Sequence, residues 1–322
     1  MTKFKSFLTP LIHAFIKYRK ASEHWNEDSY EVNLLLFDRY CSSNYSQETE
    51  LTQEMVDNWC EKRDTENNNS CRSRIYVVVS FVRYLRERNQ TNVVEPQLPK
   101  KEQRTYIPHA FSEDELKKFF RECDNLPLHP ATYEVLSRRI SVPVFFRLLY
   151  STGIRTNEAR ILKTKDVDLE NGILDIRYSK GHNQHYIVLH DSMLILMRQY
   201  DAAIKQLCPN RTYFFPAKNN SFHNRSWVQT NFRKIWDSVN SSHATAYQLR
   251  HHYALSNINR WIDTGFDFHD KLLYLSKSMG HTTLESTKYY YSIVPSLSQI
   301  LSEKTAEGFD LIVPGVDDDE SE

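Results

Sequence analysis

Val142-Pro143-Val144-Phe145-Phe146-Arg147-Leu148-Leu149-Tyr150, followed by Ser151-Thr152-Gly153-Ile154-Arg155-Thr156-Asn157-Glu158, joins an apolar run to a glycine turn and then to a cluster of charge. The run reads as a buried helix that stops at Thr152-Gly153. Arg155 then stands on a turn, and Asn157 to Lys163 opens the next helix. Glu158 shares that turn, either as a simple ion-pair partner of Arg155 or as the residue that orients it.

Downstream, the turn-rich Asp166 to Gly172 leads into the alternating strand Ile173-Leu174-Asp175-Ile176-Arg177-Tyr178, and Tyr186 to Leu189 returns as a second strand. Lys180 therefore sits at the tip of a β-hairpin, a shape that reaches into a groove. Helices are expected near Ser192 to Leu207, Ser226 to Val239, Gln248 to Ile262, Asp270 to Ser278 and Thr283 to Tyr291. Gly280 suits a helix end, and Thr282-x-x-Glu285 can cap the short helix that carries Tyr290. Ser296 to Glu307 reads as a terminal amphipathic helix with Ile300 and Leu301 as anchors.

Upstream, Ser112-x-x-Glu115 is a capping-box signature ahead of Leu116, Phe119 and Phe120. Asn89 to Phe111 holds Pro96, Pro99 and Pro108 with the basic cluster Lys100-Lys101-Glu102-Gln103-Arg104, and reads as an extended linker. The N-terminal part is all helix: Phe7 to Lys20, Tyr30 to Tyr40, Gln53 to Arg63 behind an N-cap at Thr52, and Ser70 to about Arg88. The expected fold is thus mainly α with a small β-sheet. It comprises a helical bundle at 1–92, a linker at 93–111, a larger α+β domain at 112–307 and an acidic flexible tail at 308–322.

Composition agrees with two globular domains: the 322 residues are 40% hydrophobic and 13% aromatic. Five scattered cysteines without Cys-x-x-Cys spacing exclude a disulfide framework and a zinc ribbon, and fit a reducing cytoplasm. No secretion signal and no membrane-spanning segment is evident. Net charge is zero, which at first counts against a partner as negative as DNA. The tail from Asp310 onward, however, holds six acids and no Lys or Arg, so the remainder carries +6. Phosphate contacts need a local basic face rather than a global sum.

Five segments fall in order: Gly153 to Glu158, Ser179-Lys180-Gly181, Tyr247-Gln248-Leu249-Arg250-His251, Gly280-His281-Thr282 and Thr287-Lys288-Tyr289-Tyr290. They supply two arginines, a lysine, an imidazole and a phenol. That set suits attack by Tyr290 on a phosphodiester: guanidiniums hold the phosphate, cations stabilise developing charge, and the lysine protonates the leaving oxygen. No acidic cluster of the two-metal kind and no His-Glu-x-x-His is present, so neither metal nor cofactor is expected.

On these segments the chain resembles the tyrosine recombinase (phage integrase) family, over about residues 1 to 300. The resemblance implies a SAM-like core-binding domain in the N-terminal bundle, closing over the face of the duplex opposite the catalytic domain. Tyr290, nine residues after His281, would be the nucleophile, in preference to Tyr289 or Tyr291. Arg155 and Arg250 would hold the scissile phosphate, His281 would donate to it, and Lys180 would be the general acid. Glu158 and His251 would support them, and His252 would pack or face solvent. Arg72, Arg74 and Arg83, with Lys100 and Lys101, are the candidate backbone contacts on DNA. Tyr247 departs from the family, which usually has His or Lys there; this leaves proton acceptance to His251, His281 or water.

The implied partners are double-stranded DNA with inverted-repeat core sites and, in the synapse, three further copies of a chain that is monomeric in solution, with accessory DNA-bending or directionality proteins. The implied activity is strand exchange through a 3′-phosphotyrosyl link, in a protein of the cytoplasm and nucleoid. Tyr247 and the acidic tail favour a mobile-element role over chromosome-dimer resolution. A DNA-binding paralogue without catalysis and a type IB topoisomerase remain as other readings.

Overall fold

The computed structural model describes residues 4–22, 25, 27–102, 108–177, 184–260 and 268–281. The chain divides into two compact units, Met1–Tyr106 and Ile107–Glu322.

The first unit is built from α1 (Thr9–Ala21), α2 (Val32–Asn44), α3 (Gln53–Cys60) and α4 (Asn68–Arg86), with one π-helical turn, Glu27–Glu31, leading into α2. Three of these four starts have a local reason. Pro10 occupies the first turn of α1, where its missing N–H is no loss; Thr52 accepts from Met55 N at 3.3 Å, and Asn67 accepts from Ser70 N at 3.0 Å. Phe15, Leu34, Phe37, Val56, Val78 and Phe81, all at most 1% exposed, meet in its core. Asp38, fully buried, accepts from the main-chain N–H groups of Lys5 and Ser6 and so fixes the N-terminal segment on α2.

The stretch expected to be a linker has no regular structure over 91–102, but it lies bound to this unit. Val93 is 5% exposed in the core, Arg72 donates to Pro99 O at 2.9 Å, Arg83 pairs with Glu95, and Asn69 exchanges hydrogen bonds with Glu102. Proline suppresses periodicity without preventing a few side chains from docking.

The second unit contains α5 (Glu113–Asp124), α6 (Tyr133–Thr152), α7 (Thr156–Ile161), α8 (Asp191–Leu207), α9 (Arg225–Val239), α10 (Gln248–Arg260) and α11 (Phe268–Ser278). Beside them lies an antiparallel sheet β1-β2-β3 of Val167–Asp168, Ile173–Ile176 and His185–Val188. The capping box at Ser112 and Glu115 is formed as its sequence implies. Helix α6 starts nine residues earlier than the apolar run, behind an N-cap at Thr132, and carries Pro143 inside. It packs on α5, α8 and α10, so Ser137 and Ser141 are buried as well as the apolar run, and no one-sided stripe marks its first half.

Strand β1, two residues long, falls in the stretch read as turn; Val167 pairs with Leu174 and Asp168 with Ile173. The turn itself is also present, since Asp168 Oδ1 accepts from the N–H groups of Glu170 and Asn171. Helix α7 is shorter than expected because Leu162 turns extended and Lys163 bridges to Tyr213.

Candidate active site

The turn between α6 and α7 builds the site. Gly153 ends α6 with φ +64°, and its N–H returns to Leu149 O at 3.1 Å. A side chain here would be strained by the left-handed backbone and would run into the ring of Tyr253 from α10. The chain can therefore turn tightly beneath that ring and deliver Arg155 to the N-cap of α7. Glu158, its side chain only 1% exposed, takes Arg155 at both ends: Oε2 accepts from the main-chain N at 3.0 Å and Oε1 from NH1 at 2.5 Å. The other nitrogen, NH2, donates to Gly280 O at 2.6 Å. Glu158 thus braces Arg155 from behind, as an orienting residue would.

Arg250, on the first turn of α10, is 2% exposed. Its NH1 donates to Gly153 O at 2.5 Å, and its NH2 to Met279 O at 2.8 Å and to His281 Nε2 at 3.0 Å. One guanidinium therefore joins the α6–α7 turn, α10 and the end of α11. A guanidinium has no acceptor, so His281 Nε2 accepts and the ring proton resides on Nδ1. Burial, with Arg250 and Arg155 close by, lowers the His281 pKa to about 4; burial and Arg250 lower His251 to about 4. Both imidazoles are neutral at pH 7. His281 is held by the helix end itself: Gly280 has φ +63°, and His281 N bonds to Ser276 O at 3.0 Å.

Arg155, Glu158, Arg250 and His281 thus converge from three separated parts of the sequence. His251 follows Arg250 on α10, and Tyr247, 43% exposed, sets its ring edge-on to His251 with centroids 5.0 Å apart. His252 packs, stacked on Tyr150 and against Phe111. Lys180, Tyr289, Tyr290 and Tyr291 lie outside the described residues, as do the Thr282-x-x-Glu285 cap, the 296–307 segment and the acidic tail.

The candidate DNA contacts of the first unit separate. Arg74 is 6% exposed; its guanidinium is taken up by Glu66 and the carbonyls of Trp59 and Glu61. That corrects its expected role: it is a buried tie within the bundle, because the helix face that carries it turns inward. Arg83, side chain 55% exposed, pairs with Glu95, Arg72 is half-buried against Pro99, and Lys100 and Lys101 are exposed.

One further residue stands beside these groups with no motif to mark it in the sequence. His185, at the start of β3, is 9% exposed, with Nε2 4.0 Å from Glu158 Oε2 and its ring against Gly280. The available signal was a polar residue in phase with Ile187 on the inward face of an alternating strand.

Comparison with known proteins identifies the family and the fold of the chain. Residues 110–295 match the phage integrase family. The tyrosine recombinase XerA of Pyrococcus horikoshii is 25% identical over 204 residues, covering 62% of this chain and 60% of the relative's own length. Among solved structures, the XerH site-specific recombinase bound to a palindromic difH substrate, a post-cleavage complex, matches with TM-score 0.58 at 19% identity, covering 88% of this chain and 80% of the other. A lambda integrase tetramer bound to a Holliday junction matches with TM-score 0.55 at 15% identity, covering 86% and 77%. At these identities the structures speak for the fold. The chain belongs to the phage integrase family, and so to the tyrosine recombinases, enzymes that break and rejoin DNA.

Proposed function

We propose that this recombinase exchanges strands of duplex DNA at inverted-repeat core sites of a mobile element, with Tyr290 as nucleophile. The observation that carries the reading is the convergence of Arg155, Arg250 and His281 around one turn, each fixed by hydrogen bonds before any substrate arrives. Preorganised donors of this kind stabilise charge on a phosphorane without reorganising during the reaction.

In the proposed step the Tyr290 Oη–P bond forms and the P–O5′ bond breaks. The 3′-phosphate remains as a tyrosyl ester, the phenolic proton passes to His251 or water, since the acceptor nitrogen of His281 is already engaged by Arg250, and Lys180 protonates the departing 5′-oxygen. Attack by a 5′-hydroxyl of the partner strand reverses the sequence and needs no external energy source. Arg155 and Arg250 carry the phosphate charge, and Glu158 keeps Arg155 aimed. Tyr247 contributes a phenol that can donate to the phosphate.

The first unit and residues 93–111 act as the core-binding domain and its connection to a catalytic domain at 112–307. The working assembly is four protomers on a junction, formed from monomers on DNA with accessory DNA-bending or directionality proteins. Tyr247 and the acidic tail favour a mobile element. Resolution of chromosome dimers is the second reading.

The test uses nicked suicide duplexes carrying either the attachment sites flanking the gene or a chromosomal dimer-resolution site. A covalent protein–DNA adduct on the flanking sites that disappears in Tyr290→Phe is the expected result. An adduct on the chromosomal site alone supports the second reading. Adduct persisting in Tyr290→Phe moves the nucleophile to Tyr289 or Tyr291, and specific binding with no adduct from any variant refutes strand cleavage.

A further inference from the structure

We propose that His185 is a positioning residue for Arg155, acting through Glu158 and Gly280; this rests on the reading of Arg155 as a ligand of the scissile phosphate. Strand β3 pairs antiparallel with β2, and register places His185 opposite Ile176 with its side chain directed inward. There it meets two groups that matter to Arg155. A β-carbon added to Gly280 would lie 2.5 Å from His185 Cε1, 2.6 Å from Nδ1 and 3.0 Å from Arg155 NH1. The imidazole and the guanidinium therefore share the space that the glycine leaves open. On its other side His185 Nε2 stands 4.0 Å from Glu158 Oε2, the oxygen that receives the Arg155 main-chain N–H.

The two residues that anchor the Arg155 fork, Glu158 through its carboxylate and Gly280 through its carbonyl, thus lie beside one ring held on a strand, which meets Gly280 on its Cα side. The ring excludes water from the carboxylate and blocks rotation of the fork away from Gly280. A strand supports such a wall more rigidly than a loop does. His185 acts on the geometry of the arginine rather than on a substrate phosphate or the nucleophile.

The experiment is single-turnover cleavage of a nicked suicide duplex carrying either the normal scissile phosphodiester or a methylphosphonate there, which has no negative charge for arginine to hold. On the phosphodiester, Arg155→Ala is expected to lose about 100-fold or more and His185→Ala about tenfold, the scale of a slightly misplaced group. His185→Gln, which keeps the volume and a polar tip, should retain most of the rate and guards against misfolding in the alanine variant. On the methylphosphonate both alanine defects should shrink, with His185→Ala falling to within about twofold of wild type. A His185→Ala defect of equal size on both substrates, or no defect on the phosphodiester, overturns the inference. An Arg155→Ala defect of equal size on both overturns the phosphate role of Arg155 itself, a distinct outcome that removes the premise.

Discussion

Arg250 gives the sharpest prediction, because its hydrogen bonds give it a structural duty beside the proposed chemical one. Replacing it with alanine removes the donors to Gly153 O, Met279 O and His281 Nε2, three acceptors in a place where the arginine is 2% exposed. A buried acceptor left without its donor costs about 1–3 kcal/mol, which sets a range of about 3–9 kcal/mol for the three. Water entering the space vacated by the side chain recovers part of that, so the expected loss lies near the lower end, about 3–5 kcal/mol. Measured against total stabilities of about 5–15 kcal/mol, this is a severe lesion. Arg250→Lys should fall between, since one ammonium cannot reproduce the fork that reaches the α6–α7 turn and the end of α11 together.

The assay is urea unfolding, following the second unit, with a midpoint shift of about 1–2 M for Arg250→Ala at a slope of about 2.5 kcal/mol/M, towards the upper end of the usual range as suits a unit of this size. If that variant unfolds within about 0.3 M of wild type while losing all cleavage, the stitching role is refuted and the guanidinium serves chemistry alone. The comparison matters in practice, because an inactive Arg250 variant is otherwise easily read as a purely catalytic defect.

Gly153→Ala should destabilise by about 2–4 kcal/mol, the left-handed backbone and the collision with Tyr253 contributing comparably; thermal unfolding of the variant checks it. Arg74→Ala should cost about 3 kcal/mol or more by stranding the largely buried Glu66, whereas Arg83→Ala should leave stability within about 0.5 kcal/mol. If Arg83 does touch DNA, its loss will appear as a drop of about one in the salt slope of binding, measured by titration at several ionic strengths.

His223, His251 and His281 have pKa values lowered to about 4 in the fold, against an ordinary 6.5, each by burial first. The unfolded chain then binds more protons between those values, so stability is complete above about pH 6.5 and declines as pH falls towards 4. With discount for their partial exposure, each should contribute on the order of 1 kcal/mol to the loss between pH 7 and 5. Urea midpoints at the two pH values test this, and His223→Phe, which preserves the stack on Trp227, should flatten the slope by about a third.

Local patterns in the chain announced much of this molecule. The caps at Thr52 and Ser112, the glycine stop at Gly153, the hairpin strands and most helices of the second unit depend on interactions within a few residues, so they can be read along the chain. The order of the Arg155, Arg250 and His281 segments was likewise visible, along with Glu158 as the partner of Arg155. Tertiary packing settled the remainder. It turned Arg74 inward, extended α6 back to Tyr133 through serines that only a surrounding core can bury, and bound the proline-rich segment to the first unit.

Packing also brought His185 against Gly280 and Glu158, residues that stand far from it in sequence. Propensity and spacing act over one or two helical turns, and there the amino-acid sequence alone suffices. Which side of a helix is covered, and which guanidinium meets which carbonyl, depends on surfaces supplied by segments about a hundred residues away, as Arg250 and Gly153 show with a separation of 97.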